Sequence, residues 1–390
     1  MRGAGILAFL VLGATVAAGC GLAFAPGDYR DEGAAAPPSR EDGAVSTGVP
    51  LPTGSDASAS DGGQSGVRLL LVAGRRPATP GESAPVYVTE TLRTTLDLAG
   101  RPGRWSWDLA PPSAGAWSRA LVAGGTLIVQ RDTTVLRIGL GAALEGDWAR
   151  VPVRDDPLDV ARPWLFDGHL LAAGGARGTA PFLDWSDALE AAPLVDGGYE
   201  DWRPVTGSKL SRARGDVTLH RHGPFLYAIG GRDSTSSDRA SRPEVEVGTI
   251  GDGGLPGQLV AMKPLVVPGR TEPHGVLQPV VATGAGYLFV IGGLTTGRSS
   301  SASDIVLAAP IDEGTGKLGD WLLLPSFPTP VTGAAAIVVG DNLLVFGGIS
   351  ASTISDAVMA LPIAPGRRFG AWERVGSLPG PRTGLVGVTY

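Results

Sequence analysis

Histidine is the side chain here best suited to metal binding or proton transfer, and the sequence has four: His169, His220, His222 and His274. His220 and His222 are two residues apart, so on a β-strand both imidazoles point to the same face, as two ligands of one metal ion would. A third ligand is not evident nearby in the sequence. We therefore interpret the two as a histidine pair near a turn, and expect no bound metal and no cofactor.

A glycine-rich stretch at residues 314–319 reads Gly-Thr-Gly-Lys-Leu-Gly and matches the letters of the nucleotide-binding G-x-G-x-x-G motif. That motif needs a following helix, whose amide groups bind the pyrophosphate. Residues 320–324 predict another strand, so we interpret the stretch as a hairpin turn. The G-x-S-x-G and H-E-x-x-H signatures are absent from the sequence, and we assign no catalytic residue.

Arginine is the more promising ligand-binding side chain. Guanidinium groups gathered at one place bind carboxylates or acidic sugars. The alternative is that each arginine pairs with a nearby aspartate or caps loop carbonyls. The polar residues that recur before apolar runs are Arg119, Arg162, Arg214, His274, Thr332 and Arg382.

The charge balance argues against nucleic acid as a partner. The chain has 38 acidic and 32 basic residues and a formal net charge of −6. A nucleic-acid-binding surface needs a basic stripe that attracts phosphates. We therefore expect no nucleic-acid partner.

The elements that position these residues repeat along the chain. Four apolar runs end in a glycine pair at intervals of roughly 60 residues, a period typical of a repeated β-unit. Tryptophans recur in the strands that follow the runs. The repeated residues are Gly174, Gly175, Gly230, Gly231, Gly292, Gly293, Gly347, Gly348, Trp148, Trp202, Trp321 and Trp372.

Six such units can be aligned between residues 67 and 390, each with four short antiparallel strands. The first unit lacks its first strand, while residues 384–390 match the first strand of the sixth unit and no further strands follow them. A closed ring explains both facts, because the C-terminal strand would complete the first unit and remove its exposed edge. The sequence predicts an all-β fold.

An apolar strand, a glycine pair and a tryptophan in the outer strand resemble the Kelch-repeat superfamily, which includes galactose-oxidase-like propellers. The resemblance implies a six-bladed β-propeller closed by the C-terminal strand. It also implies that the glycine pairs turn with positive φ near inter-blade contacts, and that the tryptophans pack between blades. The polar positions before each first strand would then lie at the mouth of the central channel, beside the long loops 232–242 and 295–303.

The galactose-oxidase activity does not carry over. The copper cofactor of those enzymes needs a cysteine, and the single cysteine of this chain, Cys20, lies in the N-terminal segment outside the repeats. Some bacterial Kelch propellers are similar to sialic-acid mutarotases. This similarity implies an alternative role as an enzyme acting on an acidic sugar, although no matching catalytic set can be named.

The N-terminus predicts export. Arg2 precedes an apolar run at residues 6–16, which is the length of a signal-peptide core and too short to span a membrane. Residues 17–20, Ala-Ala-Gly-Cys, resemble the bacterial lipobox, in which the cysteine is lipidated. The alternative is an ordinary secretory signal with an incidental cysteine. We predict a lipoprotein signal peptide over residues 1–19 and lipidation of Cys20.

Lipidation would attach acyl chains such as palmitate to Cys20 and hold the protein at a membrane. Gly21 stands where an aspartate would resemble an inner-membrane retention signal, which favours the outer membrane. Residues 20–66 are rich in Ala, Gly, Ser, Pro and Asp, a composition that predicts a flexible linker. Its end-to-end distance would be about 35–40 Å.

These observations predict a monomeric cell-envelope lipoprotein with an extracytoplasmic propeller that binds or scaffolds an unknown protein or envelope glycan. The enzyme on an acidic sugar is one alternative. A structural envelope component without a discrete ligand is another.

Overall fold

The computed structural model describes residues 66–79, 86–108, 111, 119–123, 126–131, 134–141, 144–151, 164–166, 168–177, 184–195, 198–233, 241–296, 301–364, 366 and 368–389. Regular structure in these ranges consists of β-strands, with no α-helix. Accordingly, this part of the chain contains no helix with the length and apolar character needed to cross a membrane. Cys20, Arg162 and the predicted signal peptide and linker up to residue 65 lie outside the described residues.

The strands of the described residues form six antiparallel sheets, which we call blades 1 to 6, and one separate two-stranded hairpin; strands are numbered in chain order. Blade 1 contains β1 (Val67–Arg76), β2 (Val86–Leu96), β3 (Ser106–Asp108) and β28 (Val386–Thr389). Blade 2 contains β4 (Arg119–Ala123), β5 (Thr126–Arg131), β6 (Thr134–Leu140) and β7 (Leu144–Val151). Blade 3 contains β8 (Trp164–Phe166), β9 (His169–Arg177), β10 (Asp184–Val195), β11 (Gly198–Tyr199) and β12 (Arg203–Lys209).

The second half of the chain repeats the same order. Blade 4 contains β13 (Thr218–His222), β14 (Phe225–Ile229), β15 (Val245–Thr249) and β16 (Val260–Ala261). Blade 5 contains β17 (Val280–Gly284), β18 (Tyr287–Ile291), β19 (Val306–Pro310) and β20 (Leu322–Leu323). Blade 6 contains β21 (Ala335–Val339), β22 (Asn342–Phe346), β25 (Ala357–Ala364), β26 (Arg368–Phe369) and β27 (Glu373–Ser377), with a small hairpin of β23 (Ile349–Ser350) and β24 (Thr353–Ile354).

The predicted closure of the ring is confirmed. β28 pairs with β1 antiparallel, with Leu69 opposite Thr389 and Val72 opposite Val386. The last strand of the chain therefore supplies the innermost strand of the first blade, and β1 becomes the second strand.

The largest boundary difference lies in blade 3. Within the six aligned units, the sequence pattern predicts the third strand of this blade at residues 182–187, whereas β10 extends from Asp184 to Val195. A bulge between Ser186 and Leu189 shifts the register against β9 and lets the strand continue. Extra residues absorbed by a bulge leave no clear mark on the alternation of side chains, so the sequence pattern placed this strand too early.

The hydrophobic core is divided into six clusters, one between each pair of neighbouring blades. In β14, Tyr227 and Ile229 pack against blade 5, while Leu226 and Ala228 pack against blade 3. Because both faces of the strand are buried, it reads as a continuous apolar run rather than an alternating one. This explains the apolar runs that precede the glycine pairs.

Three tryptophans lie between neighbouring blades and bond to the preceding one. The indole of Trp321 donates to the carbonyl of Lys263 at 3.2 Å, and that of Trp372 donates to the carbonyl of Pro325 at 2.9 Å. Trp105 makes the corresponding bond in blade 1, to the carbonyl of Ser377 at 2.8 Å.

Two further tryptophans occupy similar inter-blade positions. Trp148 packs against the core cluster shared with Leu70 and Val72 of blade 1. Trp202 of blade 3 belongs to the cluster that Ile128 of blade 2 also contacts. An amphipathic side chain of this size suits a seam between sheets, since the ring is buried and the N–H can reach a carbonyl.

Candidate ligand-binding face

One end of the blades, which we call the upper face, is where each innermost strand begins and each second strand ends. A backbone bond crosses between blades at this face in four equivalent places. In each, the N–H of the second residue of a glycine pair donates to a carbonyl at the start of the next blade. The bonds are Gly175 to Arg214 (3.0 Å), Gly231 to Val276 (3.0 Å), Gly293 to Val331 (2.9 Å) and Gly348 to Arg382 (2.8 Å).

The first glycine of each pair leaves no room for a side chain. Gly230 has φ +64°, and a Cβ there would lie 2.4 Å from the carbonyl oxygen of Val276. At Gly174 the corresponding distance, to the carbonyl oxygen of Arg214, is 1.7 Å. Glycine is required because the backbone is left-handed and the neighbouring blade approaches closely.

The bonds also define which residues correspond to one another. Arg214, Val276, Val331 and Arg382 share one position, and the residue two places later has positive φ in each case. His274 lies two residues before Val276. The feature that recurs at this position is therefore a backbone conformation and a carbonyl, while the side chain is arginine in two blades and valine in the other two.

Arg214 is fully buried and bound to a buried glutamate of β15. Its Nη1 donates to Glu246 Oε1 at 3.0 Å, and its Nε donates to the carbonyl of Gly230 at 2.8 Å. Neither side chain is exposed. Glu246 also accepts a bond from the Ser211 backbone N–H at 3.0 Å. The guanidinium holds blade 4 together beneath the upper face.

Arg382 has a similar arrangement in the opposite blade. It forms an ion pair with Glu90 of β2, and its own side chain is 7% exposed. Its Nη1 also donates to the carbonyl of Pro381 at 2.9 Å. Arg214 and Arg382 are therefore each bound to a glutamate of their own blade, blade 4 and blade 1 respectively.

Two of the other predicted ligand-binding residues, Arg119 and His274, fall within the described ranges. Arg119 begins β4, and the position of its side chain is not described. His274 is half-buried, and its backbone N–H donates to the carbonyl of Leu265 at 2.8 Å. Burial, and then the charge of Arg270, lower the pKa of His274. A neutral imidazole follows, which would donate or accept one hydrogen bond rather than attract an anion.

A charged cluster on blade 4, formed by Arg212, Asp233 and Arg242, was not predicted from the sequence. Asp233 accepts from Arg212 Nη2 at 2.8 Å and also pairs with Arg242. Arg212 is 51% exposed and Arg242 is 26% exposed, whereas Asp233 is 12% exposed. The loops that precede β13 and follow β14 bring these residues together. The sequence signal is the polar run after Gly230 and Gly231, although its partner Arg212 lies 21 residues away.

An Arg-Gly-Asp sequence at residues 214–216 lies beside this cluster, and its aspartate forms an ion pair with Arg232. Asp216 is 7% exposed and lies 2.6 Å from Arg232 Nε. Since Arg214 is also buried, this tripeptide is part of the structure of blade 4 and presents no side chains for recognition.

The two histidines of β13 contact blade 5 at the opposite end of the blades, which we call the lower face. His220 Nε2 lies 3.0 Å from Thr283 Oγ1, and His222 Nε2 lies 2.9 Å from Glu313 Oε2. Burial, and then the charge of His222, lower the pKa of His220 to about 4. Within the described ranges there is no group of three or more potential metal ligands.

The stretch at residues 314–319 is a turn of the lower face with its amides already in use. Asp312 Oδ1 accepts from the backbone N–H groups of Gly314 at 3.0 Å and Thr315 at 2.9 Å. Hydrogen bonds from the side chain and then from the backbone of Thr315 lower the pKa of Asp312. The hydroxyl of Tyr227 donates to the carbonyl of Gly316 at 2.7 Å. The turn therefore joins blade 5 to blade 4 and leaves its amides unavailable to a phosphate.

Comparison with known proteins gives a likeness of fold. The chain matches no protein-family model and no curated protein. Chains of solved structures do match it, 443 in number. The structure of YjhT superimposes with a TM-score of 0.52 at 14% sequence identity, covering 70% of this chain and 86% of YjhT.

The body of the chain is a six-bladed Kelch-like β-propeller. In this propeller Arg214, Arg232 and Arg382 each pair with one carboxylate, and Arg212 and Arg242 share Asp233. A cleft of about 540 Å³ lies on the lower face between blades 3 and 4, lined mainly by apolar atoms of residues such as Val205, Leu255 and Pro256.

Proposed function

We propose that this protein is a lipid-anchored, extracytoplasmic binding module that recognises a protein or an envelope glycan through the upper face of its propeller. The observation that carries the proposal is the state of the arginines there. Arg214 and Arg382 are each paired with a glutamate inside their own blade, while Arg212 and Arg242 share Asp233 and remain partly exposed. Exposed guanidinium groups on a rigid scaffold can bind carboxylates or polar groups of a partner.

The anchoring part of the proposal rests on the N-terminal sequence. Cys20 follows Ala17, Ala18 and Gly19 and is the single cysteine of the chain. Replacing it, Cys20→Ser, should release the full chain from the membrane fraction into the soluble fraction of the cell envelope. Retention of the serine variant on membranes would refute the lipid anchor.

Binding is tested with purified full chain on a glycan array and with a panel of envelope proteins. Arg212→Ala should weaken any specific signal, because it removes the most exposed guanidinium of the blade 4 cluster. Arg221→Ala is the matched control, since Arg221 is an exposed arginine of the same blade near the lower face. A signal that both variants reduce equally would refute recognition through the upper face. No signal for any ligand would favour a structural envelope component.

The same proteins test the enzyme alternative. Wild-type protein is incubated with a freshly dissolved acidic sugar such as sialic acid, and anomer interconversion is followed by nuclear magnetic resonance. The binding proposal expects the uncatalysed rate. An accelerated rate that Arg212→Ala abolishes and Arg221→Ala retains would replace it with an enzyme on acidic sugars.

A further inference from the structure

The chain enters the propeller at the lower face. β1 begins at Val67 beside Thr389, the last residue of β28, since Leu69 pairs with Thr389. At its other end, the Arg75 N–H donates to the carbonyl of Thr383 at 2.7 Å on the upper face. Residue 66 therefore leaves the lower face from the second strand of blade 1, close to the central channel.

We propose that the lower face is directed toward the membrane and that the upper face is presented away from it. The partner would then be a molecule that reaches the propeller from the side away from the membrane, rather than a lipid or a protein embedded beside the anchor. This orientation rests on the proposed lipid anchor at Cys20. It adds to the proposed function by stating which face a partner in the envelope can reach.

The argument is steric. Residues 21–65, whose composition predicts a flexible linker, would have an end-to-end distance of about 35–40 Å. If the upper face lay against the membrane, the linker would first have to cross two strand spacings, about 10 Å, to the rim of blade 1. It would then have to run along the blade for the length of a five-residue strand, about 17 Å. This detour of about 27 Å is most of the root-mean-square end-to-end distance of the linker, so fewer linker conformations can place the upper face against the lipid.

Two exposed positions of blade 6 allow the orientation to be measured. Asp341 lies in the turn between β21 and β22 on the lower face, and Ser352 lies in the hairpin of β23 and β24 on the upper face. Because Cys20 would carry the lipid, Asp341→Cys and Ser352→Cys would each add a single free thiol for a fluorescent donor. Energy transfer to acceptor-labelled lipids is then recorded with each full-length lipidated protein in vesicles.

We expect the donor at position 341 to show about twofold more transfer than the donor at position 352, since the labels are separated by at least the length of β22, about 17 Å. Deleting residues 33–60 should widen the difference, because the shorter linker restricts rotation of the propeller. Equal transfer from both positions, or more from position 352, would overturn the orientation.

The controls separate this result from failure of the anchor. The Cys20→Ser forms of both labelled proteins should show no transfer. If the chains with Cys20 also show none and do not bind vesicles, the anchor is wrong and the orientation falls with it. If they bind and position 352 gives the larger signal, the anchor stands and the orientation alone is refuted.

Discussion

Replacing Gly230 by alanine should weaken the contact between blades 4 and 5. The new Cβ would lie 2.4 Å from the carbonyl oxygen of Val276 and 2.9 Å from its Cγ2. The position of a Cβ is fixed by the backbone, so the backbone of one blade must move to relieve both contacts. That movement breaks the bond from the Gly231 N–H to the Val276 carbonyl, which is 3.0 Å long.

The cost has two parts. A side chain at φ +64° in the left-handed region costs about 1–2 kcal/mol. Leaving the buried amide and carbonyl without partners adds about 1–3 kcal/mol. Gly230→Ala should therefore lower the free energy of unfolding by about 2–5 kcal/mol. At about 2–3 °C per kcal/mol, the melting temperature should fall by roughly 4–15 °C.

Gly286→Ala is the matched control. Gly286 has φ +77°, but a Cβ there would meet no atom within 4 Å. The control variant should lose the conformational part alone, about 1–2 kcal/mol. The two proteins are compared by thermal unfolding monitored by circular dichroism. Equal losses of melting temperature would show that the close approach of blade 5 contributes nothing, and the steric account of the glycine pairs would be refuted.

Three further predictions concern the buried side chains. The pKa of His220 is about 4 in the fold and 6.5 in the unfolded chain, so its contribution to stability is complete above pH 6.5 and is lost as the pH falls toward 4. Between pH 7 and 4.5 the free energy of unfolding, measured by urea titration, should therefore fall less for His220→Gln than for the wild-type protein. Parallel pH curves for the two proteins would contradict this. Arg214→Met should cost about 3–5 kcal/mol by leaving Glu246 unpaired, and adding Glu246→Leu should restore most of it; no recovery in the double variant would refute the pairing. Trp321→Phe should cost about 1 kcal/mol in chemical unfolding through the lost bond to the Lys263 carbonyl, and an unchanged midpoint would show that this bond contributes nothing.

Closure of the ring could be predicted because residues 384–390 match the first strand that the first unit lacks. The blades themselves could be predicted because their backbone contacts repeat. Each glycine pair meets the same kind of carbonyl in the next blade, so the same residue type recurs at a regular interval. Trp105 was not assigned because the run in its blade ends Ala73-Gly74-Arg75, without the glycine pair that would have placed it in register.

The partners of the arginines could not be predicted in the same way. Glu246 is 32 residues from Arg214, and Glu90 is 292 residues from Arg382. Each glutamate lies on the third strand of a blade whose first strand follows the arginine. This relation depends on how strands are ordered within the sheet and on closure of the ring, and a local pattern carries neither.

Equivalent positions of neighbouring blades differ in their side chains but share a backbone contact. Arg214 and Val276 occupy the same place in adjacent blades, yet both give a carbonyl to the preceding glycine pair. The backbone performs the structural task, so the side chain is free to change if its charge is compensated, as Glu246 does for Arg214. The inner ring of the upper face is thus held by its own contacts, so in the proposed binding role specificity would come from the loops around it. Arg212 and Arg242, which are partly exposed beside Asp233, are the described residues that best meet this requirement.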